Sequence, residues 1–143
     1  MRDPLPPAGD RADLKPRVRV IGCGTLDAGD DAVGLLAVRE ARERLEAIAG
    51  VEVLEAAALD VVHLLEDVDG AVVVDAVRAP SGLREPGTIV RAEAGPDGLP
   101  ADVRSSLSSH GLGLAEAVGL AAALGGMPRV VFLGIEVADV TAG

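Results

Sequence analysis

Apolar residues fall in short runs separated by stretches of helical period. Val18-Arg19-Val20-Ile21 is a β-branched run that ends in Gly22-Cys23-Gly24, which predicts a strand closed by a glycine turn. From Asp31 to Ala49 the period changes: Leu35, Val38, Ala41, Leu45 and Ile48 recur at three and four. That spacing predicts an amphipathic helix with Arg39–Glu43, Glu40–Arg44 and Arg42–Glu46 paired on its solvent side and Gly50 as its stop. Val51–Leu54 predicts a second strand, and Asp60 is placed to cap a short helix through Asp67. Ala71-Val72-Val73-Val74 is apolar at every position, the mark of a strand buried on both faces, and is predicted to end at Asp75. Ala79–Gly82 and Glu85–Gly87 predict loop, Thr88–Val90 an edge strand, and Glu93–Leu107 an irregular connection. Gly111–Leu124 holds one charge and predicts a largely buried helix, and Val130–Gly134 a fifth strand.

This order predicts an α/β fold, a three-layer α/β/α sandwich with a mostly parallel five-stranded sheet. Residues 1–15, with Pro4, Pro6 and Pro7 among charged side chains, read as a disordered tail, and residues 16–143 as a single α/β domain. A chain of 143 residues can bury a core without staples, and its one cysteine, Cys23, rules out an internal disulfide. Thirteen Lys and Arg against 23 Asp and Glu leave a net charge of -10, which argues against nucleic acid and anionic membrane as partners. With no Trp or Tyr and one Phe, no platform for stacking bases exists. The start lacks an apolar leader, and Gly111–Gly126, a 16-residue run broken by Glu116, is too short to span a bilayer, so a cytoplasmic location is expected.

Ligands of open α/β sheets sit at the carboxyl ends of the strands. There the sequence offers Thr25, Asp27, Asp30 and Asp31 after the first strand, Asp75 after the third, and Ser108, Ser109 and His110 before the long helix. Two carboxylates and an imidazole converging there would leave open positions on a divalent ion. A carboxylate after four buried apolar residues is costly unless paired or bound to metal, so Asp75 is either a ligand or a strand-end cap of a backbone N–H. Asp30 and Asp31 read first as helix caps, favoured by free donors and the dipole, although with Asp27 they load the loop with negative charge that a cation would relieve. His110 at a helix start is held neutral and able to ligate, or else bonds a serine. His63 shares a polar helix face with Asp60 and Asp67. Cys23 is either a nucleophile paired with His110 or a small buried hydrophobe. The run Gly22-Cys23-Gly24-Thr25-Leu26-Asp27 places an acid where a dinucleotide fingerprint needs its third glycine.

The segment from Gly22 to Gly34 resembles the opening motif of the hydrogenase maturation endopeptidases, in which a glycine-x-glycine-asparagine turn precedes an acidic pair and a glycine. Val73-Val74-Asp75-Ala76-Val77 with Pro86-Gly87-Thr88 is similar to that family's second motif, Ser109-His110-Gly111-Leu112-Gly113-Leu114 to its third, and Phe132-Leu133-Gly134-Ile135-Glu136 to its last strand. The resemblance implies a three-layer fold and an enzyme: a metal-recognising endopeptidase that removes a C-terminal peptide from the large subunit of a nickel–iron hydrogenase once nickel is in place. It implies a site of Asp31, Asp75 and His110, both catalytic and metal-binding, whose acidic members also fit an aspartic-type grouping. The nickel would be carried by the hydrogenase large-subunit precursor, with another divalent ion as the occupant in isolation. Three departures stand out: Thr25 in place of Asn, Glu55-Ala56-Ala57-Ala58 in place of an Asp-Gly-Gly-Thr run, and an end nine residues after Gly134 where relatives continue into a helix. An uncovered sheet face there would favour weak self-association. The alternative is a non-catalytic docking or checkpoint module of the same fold for a metalloprotein precursor.

Overall fold

The computed structural model describes residues 16–24, 32–78, 85–106, 109–125 and 127–137, with the backbone alone at 59, 105, 106 and 109–113. The tail, the Asp27–Asp31 segment, the Ala79–Gly82 loop and Ser108 lie outside the described residues. The elements are β1 (Val18–Cys23), α1 (Val33–Glu46), β2 (Val51–Ala56), a 3₁₀ turn (Ala58–Asp60), α2 (Val61–Leu64), β3 (Gly70–Val77), β4 (Ile89–Glu93), α3 (Ala101–Ser106), α4 (Ser109–Leu124) and β5 (Arg129–Glu136). They form a five-stranded sheet in the order β2-β1-β3-β5-β4, parallel except where β4 runs antiparallel to β5.

Side chains alternate across this sheet, and each face has its own core. One face carries Val20, Val53 and Val74 under Val38 of α1. The other carries Ile21, Val73, Val77 and Phe132 under Val61 of α2 and Leu114 and Val118 of α4. Val131, Leu133 and Ile135, on the α1 side of β5, stay partly exposed. No helix among the described residues is long and apolar enough to cross a membrane.

Several local expectations shift. β3 does not stop at Asp75 but runs to Val77, because Asp75, Ala76 and Val77 keep pairing with Gly134, Ile135 and Glu136. Asp60 makes no side-chain cap, since a 3₁₀ turn precedes α2 there, and the helix ends at Leu64 before left-handed Asp67. The connection after Glu93 contains α3, whose Val103 enters the core. α4 buries one side only: Leu114, Ala117 and Val118 face inward while Leu120 and Leu124 are exposed. Arg39 and Arg42 reach across to Glu55 on β2 rather than along the helix, at 2.7 and 3.6 Å. Arg19, inside β1, is buried; it donates to Glu52 at 2.9 Å and to the Leu64 and Glu66 carbonyls that end α2.

What positions the site is the contact of α1 with the sheet. Gly22 in β1 lies under Gly34 and Val38, and a methyl group on Gly34 would lie 2.5 Å from the Cys23 carbonyl oxygen and closer still to that of Val74. The first turn of α1 therefore rests on the backbones of β1 and β3 at their carboxyl ends. Because those atoms are main chain, Gly34→Ala should cost ~2 kcal/mol or more in urea denaturation despite its gain in helix propensity. Gly95→Ala, with open space around it, should change stability by less than about 0.5 kcal/mol. The Arg39 hydrogen bonds, and then the Arg39 and Arg42 charges, hold the Glu55 carboxyl below the usual carboxylate range. A depressed folded-state value means that this pairing stabilises above the ordinary range of about 4.3 and is lost as pH falls through the folded value. An NMR titration should show Glu55 protonating at lower pH than an unpaired glutamate, and Arg39→Gln should return it toward the ordinary value.

Candidate active site

The order β2-β1-β3 contains a switch point. The chain leaves β1 for β2 on one side by way of α1, then returns past β1 to β3 by way of α2 on the opposite face. Such a reversal opens a crevice at the carboxyl ends of the two strands. Gly24, at φ 141°, turns the chain out of β1 at that point, a conformation suited to glycine.

Cys23 and Asp75 stand side by side in the crevice. The register aligns Gly22 with Val74, so the next residues of the two strands are neighbours on the α4 face. Asp75 is 6% exposed, and its Oδ1 accepts the Ala76 N–H at 2.8 Å. The Asp75 carboxyl is thus mounted inside a paired strand, more rigidly than the strand-end position inferred from sequence. Directly across on β5 stands Gly134, whose missing side chain leaves Val77 and Phe132 in close contact.

α4 brings the third motif to the same edge. Only four residues separate its C-terminal Leu124 from Arg129 at the start of β5, so helix and strand run antiparallel. Sixteen helical residues span about 24 Å and eight strand residues about 26 Å, so the N-terminal turn of α4, with the His110 backbone, lies level with the carboxyl end of β5. Asp31 lies outside the described residues, one position before buried Ala32. Asp75 and the His110 backbone thus share one face and one edge.

Glu136 was not among the candidates drawn from the sequence. It is 4% exposed and, like Asp75, projects on the α4 face of the sheet. The signal was the acid that closes the apolar run Val130–Ile135. A cavity of about 280 Å³ lined by Arg17, Arg19, Ile48 and Glu52 opens at the opposite, amino-terminal edge, where β1 and β2 begin. His63 of α2 is exposed.

A doubly wound sheet with carboxylates buried beside its switch crevice defines an α/β protein with its candidate site at the carboxyl edge. Comparison with known proteins specifies which kind. The model of the HycI hydrogenase maturation protease family matches residues 33–142. The chain belongs to the hydrogenase maturation protease family, a family of endopeptidases. Among solved structures it is similar to the hydrogenase maturating endopeptidase HybD from E. coli, at 25% identity over 86% of this chain and 75% of that one, with a TM-score of 0.64. It is also similar to an endopeptidase from Escherichia coli solved in solution, at 26% identity over 84% and 74%, with a TM-score of 0.66. The [NiFe] hydrogenase maturation protease HybD from Thermococcus kodakarensis, at 23% identity over 89% and 84% with a TM-score of 0.62, shares the fold. No curated protein matches by sequence.

Burial, and then the nearby Asp75 charge, push the Cys23 thiol far above its ordinary value. A thiol that stays protonated and buried is no nucleophile, which removes the cysteine-hydrolase reading. Native protein should therefore resist iodoacetamide at pH 8, and the same chain in urea should be alkylated at the rate of a free cysteine. Rapid native labelling would contradict the buried, neutral thiol.

Proposed function

We propose that the chain is an endopeptidase that removes a C-terminal peptide from the nickel-loaded large subunit of a nickel–iron hydrogenase. The observation that carries this reading is Asp75: a carboxylate buried in a paired strand at the switch crevice, within a chain of this family. The family's name, and that of the hydrogenase maturating endopeptidase HybD from E. coli, support the substrate class. A cytoplasmic location follows from such a substrate.

Nickel enters this reading as cargo of the precursor. Asp75, Asp31 and His110 are the residues proposed to meet it, two oxygen donors and one imidazole, a set that suits a borderline divalent ion. The same set would accept another divalent ion in isolation. A carboxylate has two oxygens, so Asp75 can keep its Oδ1 bond to the Ala76 N–H and present the other oxygen to the ion. That contact would bring the scissile bond to the crevice. Bound nickel can polarise a carbonyl or acidify water, while the fixed strand ends hold the peptide against it.

Asp75→Asn preserves shape and removes the charge. Processing of nickel-loaded precursor, followed as shortening of the large subunit on a gel, should fall about 100-fold or more while the urea midpoint stays near wild type. Undiminished processing would overturn the assignment. Capture of the precursor without shortening by the wild-type chain would favour the checkpoint module instead.

A further inference from the structure

β4 ends the sheet, and among the described residues no strand lies beyond it. Its bonds to β5 settle which backbone groups face outward. The Thr88 carbonyl accepts the Glu136 N–H at 2.8 Å, and the Ala94 N–H donates to the Val130 carbonyl at 3.0 Å, so the even-numbered residues bond β5. Ile89, Arg91 and Glu93 therefore turn their N–H and C=O groups away from the sheet. Both ends of this row are closed. Upstream, Thr88 bonds back to the Glu85 carbonyl through its N–H and its hydroxyl, and the Gly87 N–H donates to the Glu136 carbonyl at 2.7 Å. Downstream, Gly95 and Gly98 exchange N–H···O bonds at 2.9 Å, which uses the next outward pair. Between these ends lies a ledge that an extended peptide of about five residues, ~17 Å long, would fill.

An open edge pairs with another strand unless something blocks it. A second copy of this chain is blocked. Antiparallel pairing in full register sets Arg91 against Arg91, and a shift by two residues runs Ile89 onto Gly95, whose outward groups are already bonded. Two chains of net charge -10 also repel each other. A peptide of different sequence meets neither obstacle. Ile89 is 57% exposed and offers apolar contact. Glu93 is paired with Arg129 at 2.7 Å, whereas Arg91 is exposed and makes no ion pair among the described residues. The three side chains share one face, so the complement is a strand with an apolar residue and, two positions on, an acidic one.

The ledge starts level with the candidate site. Ile89 pairs with Ile135 and Ile135 with Ala76, one residue beyond Asp75. Three strand spacings, about 14 Å, separate β3 from a strand added outside β4. About four extended residues cross that distance. A chain running on from a bond cleaved near Asp75 thus reaches Ile89 and follows β4 down to Glu93. We propose that the edge of β4 holds the C-terminal extension of the precursor as an added strand, downstream of the scissile bond, an inference that rests on the endopeptidase reading. The ledge grips the extension by its backbone and by the apolar-x-acidic pair, and takes no part in bond breaking.

Arg91→Pro tests the backbone contact. The Arg91 N–H points outward, so the sheet tolerates the ring while the ledge loses a donor. On nickel-loaded precursor KM should rise about 10-fold, with kcat within about threefold and the urea midpoint near wild type. Arg91→Thr, which keeps the N–H and removes the charge, should raise KM about threefold. Precursor cut back to two residues past the scissile bond cannot reach the ledge. On it the wild type should already show the raised KM, and Arg91→Pro should add nothing. A Pro variant no worse than the Thr variant, or equally harmful on the short precursor, would overturn strand addition. If the Pro variant does not fold, amide exchange decides. A synthetic peptide of the residues beyond the scissile bond should slow exchange at Ile89, Arg91 and Glu93 of the wild-type chain, and unchanged exchange there sinks the proposal. That binding needs no cleavage, so a wild type that protects these amides yet leaves the precursor uncut refutes the endopeptidase reading alone.

Discussion

The molecule depends on how closely α1 approaches the sheet. Gly22 and Gly34 carry no side chain where helix and strands meet, and the helix backbone settles onto the carbonyls of Cys23 and Val74. A side chain at either position would lift the helix by the thickness of a methyl group. The crevice between β1 and β3 would then open and the residues around it would lose their common reference. Close approach of this kind is where glycine is needed for space rather than for backbone freedom.

Around that contact the two faces of the sheet have different tasks. The α1 face is apolar and serves as foundation. The α4 face is apolar through its middle, with Ile21, Val73 and Phe132, and carries buried polar groups at its two ends: Cys23, Asp75 and Glu136 at the carboxyl edge and Arg19 at the amino edge. Buried carboxylates oppose stability unless hydrogen-bonded or held by charge, and the backbone N–H of Ala76 supplies part of that compensation for Asp75. At the opposite edge buried Arg19 is satisfied by Glu52 and by the carbonyls that end α2, so that polar group locks the layers together.

Much of the fold was legible because hydrophobic period is a local property. Strands β1, β2, β3 and β5 and helices α1 and α4 followed from runs and spacings, with ends shifted by a few residues. Two strand ends were set too early. The third strand was expected to stop at the acid Asp75 and the fifth at Gly134, yet both continue the ladder because a neighbouring strand supplies their partners. α3 was missed because Pro100 and glycines dominate its surroundings, and only the docking of Val103 into the core makes the segment a helix. Arg39 and Arg42 leave the partners anticipated along α1 because Glu55, far off in sequence, lies within their reach.

What the sequence determined by itself was the set of elements, the three-layer class and the acids that stand where strands run out, because each reads from neighbours along the chain. The tertiary structure decided which of these groups face one another. The sheet order β2-β1-β3-β5-β4 sets Cys23 beside Asp75, deprives the thiol of its reactivity, and brings Glu136 onto the same face. No linear pattern contains that order, because strand pairing is chosen by burial and crossover geometry over the whole chain.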